Sequence, residues 1–121
     1  MQPKILIVDD DARNVFALSA VLRAKGYYCI SAPDVKEALA ILAGPGNIKM
    51  ILLDMMMPDI DGYEAMPIIR KMETHTATPI IAVTAQAMVG DRERCLAAGA
   101  NDYVSKPINV DALITLLKKY I

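Results

Sequence analysis

The chain has 121 residues, and its 13 Lys+Arg against 14 Asp+Glu leave a formal charge of -1. That length holds one hydrophobic core, so a single domain over residues 1–121 is expected. Charges of both signs are scattered, which leaves no basic stripe for nucleic acid, and no apolar run approaches the ~20 residues that cross a membrane.

From Lys4 to Val8 the residues are almost all aliphatic without polar alternation, the pattern of a strand buried on both faces. Val15, Leu18 and Leu22 then recur at helical spacing, closed by Gly26 just beyond Lys25. "YYCIS" (27–31) reads as a second strand. Asp34 followed by Glu37 has the form of a capping box that opens the helix "VKEALAILA", and "GPGN" (44–47) ends it. Three further strands follow: "MILLD" (50–54), "PIIAVT" (79–84) and "DYVSK" (102–106). Helical segments are expected between them at 62–73 and 87–98. The final helix starts near Asn109, with Leu113, Leu116, Leu117 and Tyr120 on one face, Asp111 near its positive end and Lys118 and Lys119 near its negative end.

Strands alternating with helices predict an α/β fold: a parallel sheet of five strands covered on both faces by five helices. In such sheets the binding site lies beyond the carboxyl ends of the strands. Those ends carry Asp9 and Asp10, Asp54, Thr84 and Lys106. Carboxylates about 5 Å apart repel by roughly 3 kcal/mol per pair at an effective dielectric of ~20, so a cation is needed to hold them together. Hard oxygen donors without histidine or cysteine point to Mg2+ or Mn2+, whose remaining positions suit phosphate oxygens. Thr84 would donate to one such oxygen and Lys106 would place a positive charge on another. Asp54 is then either the nucleophile toward phosphorus or a third metal ligand with no covalent role.

"ILIVDDD", "LLDMMMPDIDGYE", "PIIAVTA" and "AGANDYVSKPI" resemble, in order and spacing, the signature segments of the response-regulator receiver domain of two-component phosphorelay systems. The resemblance covers essentially the whole chain and implies a flavodoxin-like, doubly wound sheet of strand order 2-1-3-4-5. It implies Asp54 as the phosphate acceptor and Asp10 as direct metal ligand, with Asp9 in the acidic pair, in an outer position or acting through water. Met56 matches the position whose backbone carbonyl completes the metal shell. Thr84 and Lys106 match the switch hydroxyl and the lysine of the pattern, Tyr103 the switching aromatic, and Pro107 implies a cis Lys106-Pro107 bond. The implied partner is a histidine kinase or a histidine phosphotransfer protein, with a further dimer surface on the fourth helix, fifth strand and fifth helix. Such a chain catalyses only its own phosphorylation and dephosphorylation. "DDDARN" and "AMVGDRERCLAAGANDYVSKPI" look most like receivers fused to hybrid sensor histidine kinases. Against this stand two other classes, an aspartyl-phosphate-forming phosphatase and a pseudo-receiver that only binds partners. Met56 in place of a second acid, and the absence of a cap-sized insertion, argue against the first; the intact acceptor set argues against the second.

The other features have plainer readings. Asp11 is expected to cap the first helix. Cys29 and Cys95 sit in apolar patterns as buried free thiols, which with the missing leader sequence suggests a reducing, cytoplasmic setting. Met55 to Met57 are expected to pack a loop, His75 to be a solvated loop residue, and "DRERC" (91–95) to form a charged helix surface. Pro67 should make the third helix bend or begin late, through an irregular first turn. Met56 and Gln86 flank the expected path of a hydrolytic water.

Overall fold

The computed structural model of the protein describes residues 4–44, 47–85 and 90–121. Its order is β1 (Lys4–Val8), α1 (Ala12–Ala24), β2 (Tyr28–Ala32), α2 (Val35–Ala43), β3 (Ile48–Asp54), α3 (Gly62–Arg70), a 3-10 turn (Glu73–His75), β4 (Ile80–Thr84), α4 (Asp91–Ala98), β5 (Asp102–Ser105) and α5 (Val110–Tyr120). All strand pairings are parallel, in the order β2-β1-β3-β4-β5. The expected fold class is therefore observed, element for element. Among the described residues no helix is long and apolar enough to cross a membrane.

Alternation along the strands builds two cores, one on each face. Leu6, Val8, Ile51, Leu53, Ile80 and Ala82 meet α2, α3 and Cys95 of α4 on one side. Ile5, Ile7, Met50, Leu52, Ile81, Val83 and Val104 meet Leu18 and Leu22 of α1 and Leu113 and Leu117 of α5 on the other. Central strands buried on both faces explain why β1 and β3 read as unbroken aliphatic runs. Cys29 and Cys95 are both buried and unpaired.

Local signals start the helices as expected. Asp11 accepts from the amides of Arg13 (3.0 Å) and Asn14 (3.4 Å), and Asp34 accepts from that of Glu37 (2.8 Å). Gly26, at φ +93°, occupies a backbone conformation that other residues reach only under strain.

Three expectations need correction. Helix α3 neither begins late nor has an irregular first turn: it starts at Gly62, where Asp61 accepts from the Glu64 amide (2.9 Å) and the Asp61 carbonyl accepts from the Ala65 amide (3.0 Å). Pro67 lies beyond that turn, so its missing N–H leaves the capped start intact. The helix is shorter than expected, ending at Arg70 before the separate 3-10 turn. His75 is buried (6% exposed), its Nε2 3.0 Å from the Leu42 carbonyl and its Nδ1 2.9 Å from the Thr78 hydroxyl. The 3-10 turn folds the ring beneath the end of α2, where two polar partners satisfy it. The described part of α4 starts at Asp91; the start expected at residue 87 lies outside the described residues.

At the pole where the strands begin, the Arg70 guanidinium donates to the Thr78 carbonyl (2.6 Å), the Gly99 carbonyl (2.8 Å) and the Asn101 side-chain oxygen (2.7 Å). Asn101 also accepts from the Ile80 amide (2.9 Å), so one cation joins the loop that enters β4 to the loop that enters β5.

Candidate functional site

Register brings the polar strand ends together. Val8 lies opposite Leu53, Asp54 opposite Val83, and Thr84 opposite Ser105. The ladder runs one residue past β1 and β5, since the Asp9 amide donates to the Ala32 carbonyl (3.1 Å) and that of Lys106 to the Thr84 carbonyl (2.7 Å). Asp9, Asp54 and Lys106 thus share parity with the core residues that face α1 and α5. Thr84 and Tyr103 share the opposite parity, toward α2, α3 and α4.

Asp9, Asp10 and Asp54 offer carboxylate oxygens that all lie within 4.8 Å of one another. Asp9 (4% exposed) and Asp54 (3% exposed) are buried, while Asp10 is exposed at the mouth. The Lys106 ammonium reaches in from the side, 3.3 Å from Asp54 Oδ2 and 3.6 Å from Asp9 Oδ2. Asp54 Oδ1 accepts from the Met56 amide (3.0 Å), which fixes the carboxylate at the start of the loop after β3. The side chain of Met56 itself is 53% exposed, whereas Met55 and Met57 are buried as loop packing.

Charge balance at the site follows from burial. Burial pushes the Asp54 carboxyl above its ordinary range, against the Met56 amide and the Lys106 ammonium that favour its ionised form; the Asp9 charge pushes it further up. Burial works to lower the Lys106 ammonium, but the carboxylates of Asp54 and Asp9 outweigh it and hold the group above the usual lysine range. One ammonium against three carboxylates leaves the cluster anionic. All three donors are hard oxygens, two of them buried, which fits a small divalent cation of the Mg2+ or Mn2+ type and not a thiophilic one.

Thr84 is buried at the end of β4, and Tyr103 is half-buried against the core on the same face of the sheet. The Lys106-Pro107 peptide is cis. Gln86 lies outside the described residues. One close contact escaped the sequence reading: Asn14 Nδ2 donates to Asp9 Oδ2 at 2.6 Å. Its only sequence signal was an amide side chain three residues into a helix capped by Asp11.

Residues 5–118 match the family described as the response regulator receiver domain. Hybrid signal transduction histidine kinase I of Dictyostelium discoideum is 37% identical over 124 residues, covering 98% of this chain but only 7% of that protein. The receiver domain of sensor histidine kinase PA1611 of Pseudomonas aeruginosa, solved with a magnesium ion coordinated in its active-site cleft, is 38% identical with a TM-score of 0.88, covering 99% of this chain and 98% of that one. The receiver domain of Ssk1 of Saccharomyces cerevisiae, solved with the histidine phosphotransfer protein Ypd1, superposes with a TM-score of 0.88 at 29% identity, covering 98% of this chain and 88% of that one. The family match runs through both strand ends that carry the carboxylates and through Lys106, and so this chain belongs to the response regulator receiver domain family.

Proposed function

We propose that Asp54 takes a phosphoryl group from a phosphohistidine on a partner histidine kinase or phosphotransfer protein, in a Mg2+-dependent reaction that changes the affinity of the domain for its partners. The observation that carries this reading is the Asp54 carboxylate itself: buried, pinned on one oxygen by the Met56 amide, and paired on the other with Lys106 at 3.3 Å. A carboxylate held in this way needs little reorientation of its own to attack phosphorus.

Asp10, Asp54 and the backbone carbonyl of Met56 would hold the metal, with Asp9 beside them directly or through water. The bound ion supplies neutralisation of the developing charge on the phosphoryl oxygens. An Asp54 oxygen forms the new P–O bond as the P–N bond to the donor imidazole breaks, its electron pair returning to that nitrogen. Lys106 follows the charge, moving its ammonium from the Asp54 oxygen to a phosphoryl oxygen. Thr84 donates its hydroxyl to another, and the half-buried Tyr103, on the same face of the sheet, responds to that movement. The surface that changes comprises α4, β5 and α5, and it is also the face on which two copies would pair. The partner assignment is supported by the kinase and phosphotransfer contexts in which the relatives occur.

The test is incubation with Mg2+ and acetyl phosphate followed by intact-mass measurement. Wild-type protein should gain one phosphoryl mass, and Asp54→Asn or removal of Mg2+ should abolish the gain. Turnover of acetyl phosphate without an adduct would identify a phosphatase instead, and no reaction at all would identify a pure binding module.

A further inference from the structure

We propose that Asn14 is a positioning residue of the acceptor site, its carboxamide setting the carboxylate of Asp9 for the divalent cation. The inference deepens the reading above and rests on it for the role of the cation. Asp9 lies one residue beyond β1 and is nearly fully buried. Its Oδ1 accepts from the Asp11 amide at 2.9 Å and its Oδ2 from the Asn14 side chain at 2.6 Å. Both donors belong to one capped turn, since Asp11 in turn accepts from the amide of Asn14 at 3.4 Å. The carboxylate is therefore gripped on each oxygen by the start of α1, and its plane cannot rotate without breaking one of the two bonds.

The chemical type of the grip matters. A carboxamide donor is neutral, so it orients Asp9 without cancelling any of the negative charge that the three carboxylates present to a cation. A cationic side chain here would compete with the metal, and an apolar one would leave Asp9 Oδ2 to the Lys106 ammonium, now 3.6 Å away. That second outcome would draw Lys106 off Asp54, to which it is the closer at 3.3 Å. Outer hydrogen-bond partners of metal-ligating groups commonly carry a tenfold or greater share of metal affinity.

The experiment is calorimetric titration of Mg2+ into unphosphorylated wild-type, Asn14→Ala and Asn14→Gln proteins, with urea midpoints recorded on each. Alanine is a good helix former at this half-exposed position and should leave the fold intact. Asn14→Ala is expected to lose about tenfold in Mg2+ affinity at a nearly unchanged urea midpoint. Asn14→Gln, which retains a carboxamide, should recover most of the loss. Unchanged affinity in Asn14→Ala, or an equal loss in both variants, overturns the proposal. Wild-type protein that binds Mg2+ but takes no phosphoryl group would overturn the function proposed above while leaving the Asn14 result to stand or fall by its own affinities.

Discussion

Asp54 shows what burying a carboxylate costs the fold. With Mg2+ chelated, burial holds its carboxyl above the ordinary range, so the folded protein binds a proton there more tightly than the unfolded chain does. Stability must then fall as pH rises from the unfolded carboxylate range, about 4, through the raised folded value. Lys106 contributes with the opposite reach: its raised value in the fold gives stabilisation that is complete at neutral pH and is lost only as pH climbs through and beyond the usual lysine range. Asp54→Asn should therefore be more stable than wild type at neutral pH in chelator, and should lose that segment of the pH dependence, as read from urea midpoints across the mildly acidic range. Equal midpoints for the two proteins at every pH would refute the burial argument. At this scale the sequence was informative wherever a residue's role depended on its neighbours in the chain, as with Asp11 capping α1. It was silent where the partner lay elsewhere. His75 looked solvated because nothing near it reveals the Leu42 carbonyl, 33 residues away, that accepts its ring. Asn14 was overlooked because only a folded first turn of α1 returns its side chain to Asp9.

Among the elements, the entry to α3 is the most tightly constrained. A Cβ added at Gly62 would lie 2.9 Å from the Met55 Cα, a backbone atom that cannot swing aside. Gly62→Ala gains helix propensity worth at most about 1 kcal/mol. Overpacking against a fixed backbone costs about 1–3 kcal/mol, so a net loss of about 1 kcal/mol is expected in urea unfolding. Because Met55 directly follows Asp54, the same variant should slow phosphorylation by acetyl phosphate. Strand ends and helix caps were legible from short-range pattern, since aliphatic runs and capping carboxylates act over a few residues. The behaviour of α3 was not: Pro67 looked disruptive from its own chemistry, yet the cap made by Asp61 and the packing of Gly62 on Met55 decide where the helix begins.

At the scale of the whole molecule, the carboxylate cluster would couple cation binding to folding, because its three members come from the two residues after β1 and the last residue of β3 and come together only in the folded state. An ion that binds only that state stabilises it by about 2.7 kcal/mol at a concentration 100-fold above its dissociation constant. Mg2+ should accordingly raise the thermal midpoint by several degrees over chelator, and Asp10→Ala should lose most of the shift. A midpoint indifferent to Mg2+ in the wild type would count against the cation site. The five-strand parallel architecture was readable from the alternation of elements alone. The lateral order of the strands was not, because the aliphatic runs of β1, β3 and β4 are interchangeable in character; that order came from the family resemblance, and the observed pairing agrees with it.

The guanidinium of Arg70 has a mechanical consequence for this architecture. By lashing together Thr78, Gly99 and Asn101, it ties the start of β4 to the turn leaving α4, while Thr84 ends the same strand at the opposite pole. The Arg70 anchor and the carboxylate rim therefore lie at opposite ends of β4, so a substitution at Arg70 acts on the pole farthest from Asp54.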